Sequence, residues 1–371
     1  MNIKHYLFFA LLSISILSAC TKEEDPEQAP VVDMAIKNNP INSKVNEKIT
    51  FSAINVNNKV YSEEWKLEGE VKSTSSFYNF TPVKAGIYNI EYTATNNIGA
   101  FNYKYVVNVG VPTVPSNPGS NKYVTKVFEY LPAPGQYTNK TIGTLEGAKS
   151  IEGKEGIVSL GAWGGYIVLG FDHTVINESQ NGTPKDDIII YGNAQSNWAE
   201  PGVVWVMQDE NGNGKPDDTW YELKGSEFGK DGYIRDYEVT YTKPATGGSV
   251  TWKDNKGKTG VVTIAGATSQ AFPSWVTGTE YTLKGTLLPS SGIKAETPTY
   301  ITSAPFTFGY GDNKVGGDNI DIANAIDKDG KTVTLTGIDF IKIQTGIQAD
   351  LGWLGELSTE VLGVADLNLV K

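Results

Sequence analysis

Oxygen-bearing side chains recur at every second position in the stretch 209–218. Calcium takes about six to eight oxygen ligands, and a glycine lets a loop turn tightly around the ion. The spacing therefore predicts a structural calcium site, whose ligands would be Asp209, Asn211, Asn213, the Lys215 carbonyl and Asp217, with Asp218 as an alternate. The alternative is a polar Asn-Gly loop that binds no ion.

Five aromatic residues lie in predicted loops, where binding residues concentrate. An exposed ring offers rigid, amphipathic area to the face of a sugar or a macrocycle. We therefore predict a ligand-binding set made of Trp163, Trp198, Trp275, Tyr310 and Trp353. The alternative for each ring is a small satellite core packed over its own loop. The strand-associated tryptophans are predicted to be core, namely Trp205, Trp220 and Trp252.

The inventory of catalytic side chains is short. His173 is the one histidine that remains once a signal sequence carrying His5 is removed, and Cys20 is the one cysteine. A zinc site built from several His or Cys ligands is therefore excluded. A Ser-His-Asp triad would have to use His173, which we expect at a strand end on the surface, and no Gly-x-Ser-x-Gly turn is present. We predict that the protein is not an enzyme, although a glycan-active hydrolase needs only two carboxylates and stays open.

The N-terminal segment has the composition of a secretory signal. Lys4 precedes an apolar run, Tyr6 to Leu17, that is too short to span a bilayer, and small residues lead to Cys20. This arrangement resembles a bacterial lipobox, which implies removal of residues 1–19 and lipidation of Cys20. The Lys and acidic residues after Cys20 resemble the export signal of Bacteroidetes lipoproteins, which implies an outer-membrane position facing the cell exterior. The alternatives are an ordinary signal peptide and a plain charged tether.

The remaining composition is typical of an all-β secreted protein. Helical periodicity is nearly absent, and β-branched and aromatic residues recur in short runs. We predict a lipidated tether at 20–30, a β domain at 31–110, a Pro/Ser/Gly linker at 111–120 and a larger β-sandwich at 121–371. One helical turn is expected at 321–326. The formal net charge of −11 argues against a nucleic-acid partner.

The first domain shows its clearest strand at 86–94, where Tyr88, Ile90, Tyr92 and Ala94 share one face. Trp65 lies on an earlier strand and should fill the space between two sheets. With segments 49–53, 64–69 and 94–99, this pattern resembles a PKD or Ig-like domain. The resemblance implies a β-sandwich that acts as a spacer or adhesion module.

The second domain carries an acidic set ahead of the calcium motif, consisting of Asp172, Asp186, Asp187, Asn193 and Glu200. Along this domain the features follow in the order strand, Asp, strand, Asn and Glu-Pro-Gly. The same order is found in bacterial cell-surface jelly-roll domains, which this domain resembles over most of residues 155–365. These acids could equally cap turns and bind loop amides. The chain as a whole resembles Bacteroidetes surface lipoproteins, which are often linked to PKD domains. Such proteins accompany TonB-dependent nutrient uptake and in some cases vitamin B12 acquisition.

The resemblance implies a surface-anchored lipoprotein that captures a nutrient for a TonB-dependent outer-membrane transporter. A corrinoid is the first ligand expected, although no motif in the sequence is specific for one. The alternatives are a carbohydrate-binding surface lipoprotein and a structural or adhesion protein. Three or more aromatic side chains converging on one concave face would favour ligand binding.

Overall fold

The structure, a computed structural model, describes residues 26–180, 182–245, 249–263, 272–297 and 299–370. The predicted signal sequence, Cys20 and the first half of the predicted tether lie outside these residues. None of the helices in the described ranges is long and apolar enough to cross a membrane. The chain divides into two compact units. The first contains residues 26–41, 49–80 and 88–107, and the second contains residues 108–370, with the stretches 42–48 and 81–87 counted in it.

Between residues 26 and 110, all of which the structure describes, eight strands form two sheets, with the orders β1-β3-β6 and β2-β8-β7-β4-β5. Their bounds are β1 Val32–Met34, β2 Ile41–Lys44, β3 Ile49–Asn55, β4 Ser62–Leu67, β5 Glu70–Ser73, β6 Phe77–Phe80, β7 Gly86–Thr95 and β8 Ala100–Gly110. On β7 the side chains of Ile90, Tyr92 and Ala94 are buried, whereas those between them are half-buried. The predicted alternation along this strand is confirmed.

Trp65 on β4 is the centre of the first unit's core. Its ring is fully buried and lies 4.6 Å from the ring of Tyr92 and 5.9 Å from that of Phe51, measured between centroids. The indole Nε1 donates a hydrogen bond of 3.0 Å to the carbonyl of Ser75, so the buried polar atom is satisfied. The predicted position of Trp65 between two sheets is confirmed.

Nineteen further strands of the described ranges follow residue 110. They are β9 Lys126–Leu131, β10 Val158–Ser159, β11 Tyr166–Ile176, β12 Ser179–Gln180, β13 Thr183–Pro184, β14 Ile188–Tyr191, β15 Gly202–Met207, β16 Tyr221–Leu223, β17 Ile234–Thr242, β18 Thr251–Asp254, β19 Thr259–Val261, β20 Glu280–Leu287, β21 Ile293–Thr297, β22 Tyr300–Ser303, β23 Asp318–Ile320, β24 Ala325–Ile326, β25 Gly337–Thr345, β26 Glu360–Val361 and β27 Gly363–Asp366. Among the described residues, helix is limited to one α-helical turn, α1 (Leu145–Ala148), and three short 3-10 helices, Lys149–Ile151, Ile322–Asn324 and Gly352–Leu354. The all-β prediction is confirmed.

A six-stranded sheet with the order β24-β16-β15-β25-β11-β9 organises the second unit. Alternate residues of β11 point to opposite faces: Ile167 and Leu169 join a core shared with the sheet β23-β14-β27, and Tyr166 packs toward the sheet β19-β18-β17-β20. The larger sheet is therefore covered on both faces, by a three-stranded sheet on one and in part by a four-stranded sheet on the other.

The predicted linker contains no strand or helix. One of its residues, Val114, exchanges two hydrogen bonds of 2.8 Å with Thr174 on β11, one through each partner's backbone N–H. This part of the stretch is therefore hydrogen-bonded to the second unit.

Candidate functional site

Two of the predicted ligand-binding aromatics, Trp163 and Tyr310, are core residues. The Trp163 ring is fully buried against the edge of Tyr237, with 4.7 Å between ring centroids. Gly164 has a φ of +86°, and a Cβ there would meet the Cβ of Leu283 at 2.9 Å. Because glycine allows this close approach, the loop lies directly on the four-stranded sheet. The exposed position expected for Trp163 is wrong, and the satellite-core alternative holds.

Tyr310 is 1 % exposed and packs against Phe306, with 5.2 Å between ring centroids. Its hydroxyl accepts a hydrogen bond of 3.0 Å from the backbone N–H of Glu227. A side chain at Gly225 would collide with the hydroxyl, at 2.6 Å, so glycine leaves room for the ring. The exposed position expected for Tyr310 is therefore also wrong. The ring belongs to a hydrophobic cluster against which Trp198 packs.

Trp198 and Trp353, far apart in the sequence, converge on one surface groove of about 350 Å³. Tyr300, which the sequence did not suggest, is the third aromatic residue there. Trp353 is 58 % exposed and Tyr300 is 52 % exposed, while Trp198 is half-buried. We call this surface the aromatic groove, and its lining residues are Gln195, Trp198, Thr299, Tyr300, Ile301, Trp353 and Leu354.

Backbone hydrogen bonds fix the segments that carry the three rings. Ser303, at the end of the β21–β22 hairpin, donates its N–H to the Asn197 carbonyl and accepts the Ala199 N–H, both at 2.9 Å. Its buried hydroxyl donates a further hydrogen bond of 2.6 Å to the Ala199 carbonyl. Trp353 lies on a 3-10 turn that begins where Asp350 Oδ1 accepts the Gly352 N–H at 2.9 Å. The rings are therefore attached to ordered backbone.

Trp275 lies outside the aromatic groove. It is 38 % exposed, and its ring centroid is 6.3 Å from that of Tyr130. Of the five predicted residues, the structure therefore brings two together, places two in the core and leaves Trp275 on a separate surface.

Three buried carboxyl groups, those of Glu200, Asp312 and Glu360, form a cluster whose oxygens lie within 4.8 Å of one another. Burial, followed by the charge of Glu360, raises the pKa of Glu200 and that of Asp312 well above their ordinary values. These oxygens are close enough to share a divalent cation or a proton.

Protein donors already reach this cluster. Asp312 accepts the backbone N–H groups of Ala194 and Glu360 at 3.0 and 2.8 Å. Glu360 accepts the Ser358 hydroxyl at 2.8 Å and the Asn193 amide at 3.2 Å. The cluster therefore ties the loop after β14 to β26. Of the predicted acidic set, Asn193 and Glu200 belong to it.

The predicted calcium ligands gather in one loop. Asp209 accepts the backbone N–H groups of Asn213 and Gly214 at 3.1 and 2.7 Å, and Asp217 accepts the side-chain amides of Asn211 and Asn213 at 2.9 to 3.1 Å. The amide oxygens of Asn211 and Asn213 accept the backbone N–H groups of Asn213 and Lys215 at 3.0 and 2.7 Å, so a cation would have to replace these hydrogen bonds. The loop gathers the oxygen-bearing side chains that calcium prefers, and calcium binding stays a prediction.

His173 is buried, contrary to the surface position that the sequence suggested. Its Nδ1 is 2.7 Å from Asp172 Oδ1, and its Nε2 is 2.9 Å from Asp366 Oδ2. The hydrogen bond to Asp366 raises the pKa of His173 above its ordinary value, even though burial acts in the opposite direction. Because both ring nitrogens are hydrogen-bonded, His173 joins β11 to β27.

No protein-family model matches the sequence, and no curated protein matches it. Among solved structures, the chain is similar to a quinonprotein alcohol dehydrogenase-like protein from Bacteroides thetaiotaomicron, with 11 % identity over 66 % of this chain and 50 % of the other, at a TM-score of 0.21. It thus spans half the length of that protein.

Two further structures match. Fibronectin(III)-like modules of CbhA from Clostridium thermocellum share 12 % identity over 67 % of this chain and 97 % of theirs, at a TM-score of 0.20. A SusE-like protein shares 9 % identity over 88 % of this chain and 95 % of its own, at a TM-score of 0.19. Similarities this low assign neither a fold nor a function.

Proposed function

We propose that this is a cell-surface binding protein whose aromatic groove takes a glycan. The observation that carries the proposal is the convergence of Trp198, Tyr300 and Trp353 on one groove. Large aromatic side chains exposed together on a folded surface mark interaction sites more often than isolated ones do. Flat rings present apolar area to the C–H face of a sugar, and Gln195 and Thr299 supply polar atoms for its hydroxyls.

The lining of the aromatic groove favours a sugar over a corrinoid. Aromatic rings beside amide and hydroxyl groups suit the C–H faces and hydroxyls of a sugar, and no motif in the sequence is specific for a corrinoid. The corrinoid therefore ranks below a glycan as the ligand of this groove. It would be favoured again only by a titration in which cobalamin binds and the glycans do not.

The chemistry of the lining supports binding over catalysis. The residues that line the aromatic groove in the described ranges include no carboxylate, histidine or cysteine. A glycosidase requires a pair of carboxylates at the scissile bond, and the buried cluster of Glu200, Asp312 and Glu360 is not part of this lining.

The proposed attachment to the membrane is supported by the sequence alone. Lipidation at Cys20 would place the protein on the outer membrane, facing the exterior, and a multiply acylated cysteine is a stable anchor. A glycan captured there could pass to a TonB-dependent transporter. Calcium in the 209–218 loop would be structural, since none of its predicted ligands lines the aromatic groove.

Affinity electrophoresis of the whole protein against a polysaccharide panel tests the proposal. We expect retardation by at least one polysaccharide, and we expect Trp353→Ala and Tyr300→Ala to abolish most of it. Trp275→Ala is the matched control, because Trp275 is also exposed but lies outside the groove. If no polysaccharide retards the protein, or if all three variants behave alike, the glycan proposal fails and an adhesion role with a protein partner takes its place.

A further inference from the structure

The four-stranded sheet covers only part of one face of the six-stranded sheet. This face carries a lysine, two tryptophans and a glutamate. Lys342 on β25 pairs directly with Trp205 on β15, which pairs with Glu222 on β16. Directly paired residues project to the same side of a sheet. Ile341 and Ile343, the neighbours of Lys342, point to the opposite face and join the core. Lys342 therefore lies at the outer face of the sheet.

These side chains open onto a groove of about 330 Å³, near the lower end of the range for small-molecule sites. We call it the lysine groove. Trp205 and Trp220 form its aromatic wall, and both are half-buried, so the sequence-based assignment of these rings to the core is only partly correct. Residues of β17 and β20 complete the lining, among them Arg235, Glu238 and Lys284.

Lys342 differs from the other cations of this groove because it has no anionic partner. Lys284 forms an ion pair of 2.6 Å with Glu238, and Arg235 lies 3.6 Å from Glu222. Within the described ranges, Lys342 has no hydrogen-bond or ion-pair partner. Its ammonium instead lies 4.4 Å from the ring centroid of Tyr166 and 5.0 Å from that of Trp205.

The carboxylates around Lys342 are already engaged by other groups or point to solvent. Glu129 on β9 accepts the Tyr166 hydroxyl at 2.6 Å. Glu222 accepts the hydroxyls of Thr286 and Tyr233. Asp236 on β17 is exposed. The Lys342 ammonium therefore forms no ion pair with any of these carboxylates. Burial lowers the pKa of Lys342 to about 8, although the charge of Glu129 acts in the opposite direction.

We propose that the lysine groove binds a carboxylate whose attached body stacks on Trp205 and Trp220. The carboxylate would give Lys342 a direct ion-pair partner, and a charge-assisted hydrogen bond is about twice as strong as a neutral one. The rings would contact either the face of a sugar or an aromatic ring. Two sources share this chemistry, acidic sugars and small aromatic acids. The proposal does not depend on the aromatic groove.

Calorimetry of the whole protein with two matched pairs of probes tests the proposal. Galacturonate differs from galactose, and indole-3-acetate from indole, chiefly by the carboxylate. We expect one of the two acids to bind, and its neutral partner to bind at least tenfold more weakly. The acid that binds shows whether the ligand is an acidic sugar or a small aromatic acid. Lys342→Met, which removes the charge and keeps the length, should abolish the preference for the acid. Lys342→Arg should retain most of it.

The pH dependence gives a second readout that a purely structural lysine would not produce. At pH 7 about nine-tenths of the Lys342 amines are charged, and at pH 9 about one-tenth, given a pKa of about 8. The affinity for the acid should therefore fall about tenfold between those values, with no such fall in Lys342→Met. Trp353→Ala should leave this binding unchanged. Equal binding of acid and neutral probe, binding of neither acid, or an unaltered preference in Lys342→Met would overturn the proposal.

Discussion

Glu356→Gln should stabilise the second unit in a strongly pH-dependent way. The Glu356 side chain is 4 % exposed. One carboxylate oxygen accepts the Gln136 N–H at 2.6 Å, while the other, Oε2, has no hydrogen-bond partner among the described residues. Burial raises the pKa of Glu356 from its ordinary value of 4.5 to about 7. The folded protein therefore holds this proton more tightly than the unfolded chain does.

The sign and the size of this stability change follow from proton linkage. Because the unfolded chain releases the proton near pH 4.5 and the folded protein near pH 7, stability falls as the pH rises through this window. At about 1.4 kcal/mol for each tenfold change in proton affinity, the total loss is about 3 kcal/mol. Glutamine has no proton to lose and can still accept the Gln136 N–H. The variant should therefore gain about 2–3 kcal/mol over the wild type between pH 5 and pH 8.

Urea denaturation at pH 5 and pH 8 measures this difference. Tryptophan fluorescence reports mainly on the second unit, which holds seven of the eight tryptophans. Subtracting the variant-minus-wild-type difference at pH 5 from that at pH 8 cancels packing effects that do not depend on pH. Glu296→Gln, at an exposed glutamate, controls for the lost charge. A stability difference that is the same at both pH values would refute the reasoning.

Three further predictions concern the core of the first unit, the calcium loop and the anchor. Trp65→Ala should destabilise the first unit by about 3–5 kcal/mol in circular-dichroism melts and leave the fluorescence transition of the second unit unchanged. A loss below about 1 kcal/mol would contradict the central packing of Trp65. Calcium should raise the melting temperature of the wild type but not of Asp209→Ala, because only the wild type keeps the full ligand set. Identical melting of the wild type with calcium and with chelator would refute the calcium site. Cys20→Ala should move the protein from the membrane fraction to the soluble fraction and abolish labelling by radioactive palmitate, and persistent labelling would exclude Cys20 as the lipidated residue.

Local rules predicted the features that depend on neighbours in sequence. Alternation along 86–94 identified the buried face of β7, because side chains on a strand alternate at a period of two. The helical turn expected at 321–326 appears as the 3-10 helix Ile322–Asn324, where the Asp321 side chain accepts the Ala323 N–H at 2.8 Å. In both cases the chemistry that decides the structure lies within a few residues.

Features that depend on distant segments could not be predicted in the same way. Trp163 sits among glycines, which suggested an exposed loop, yet glycine also permits the close approach that buries it. Trp198 and Trp353 meet only because the β21–β22 hairpin and the turn at Gly352–Leu354 pack on one cluster. Lys342 looks like an ordinary polar strand residue, and only the tertiary structure shows that its ammonium faces the rings of Tyr166 and Trp205 and forms no ion pair among the described residues.

The proposed glycan-binding role of the aromatic groove is tested most directly by isothermal titration of the whole protein with the polysaccharide or oligosaccharide that retards it most. Trp353→Ala should weaken binding by about 1–2 kcal/mol, which is roughly five- to thirtyfold in Kd, because an exposed ring that stacks on the ligand is lost. Trp275→Ala should leave the Kd within twofold of the wild type. Equal affinities in the wild type and Trp353→Ala would contradict the assignment of the groove as the glycan site.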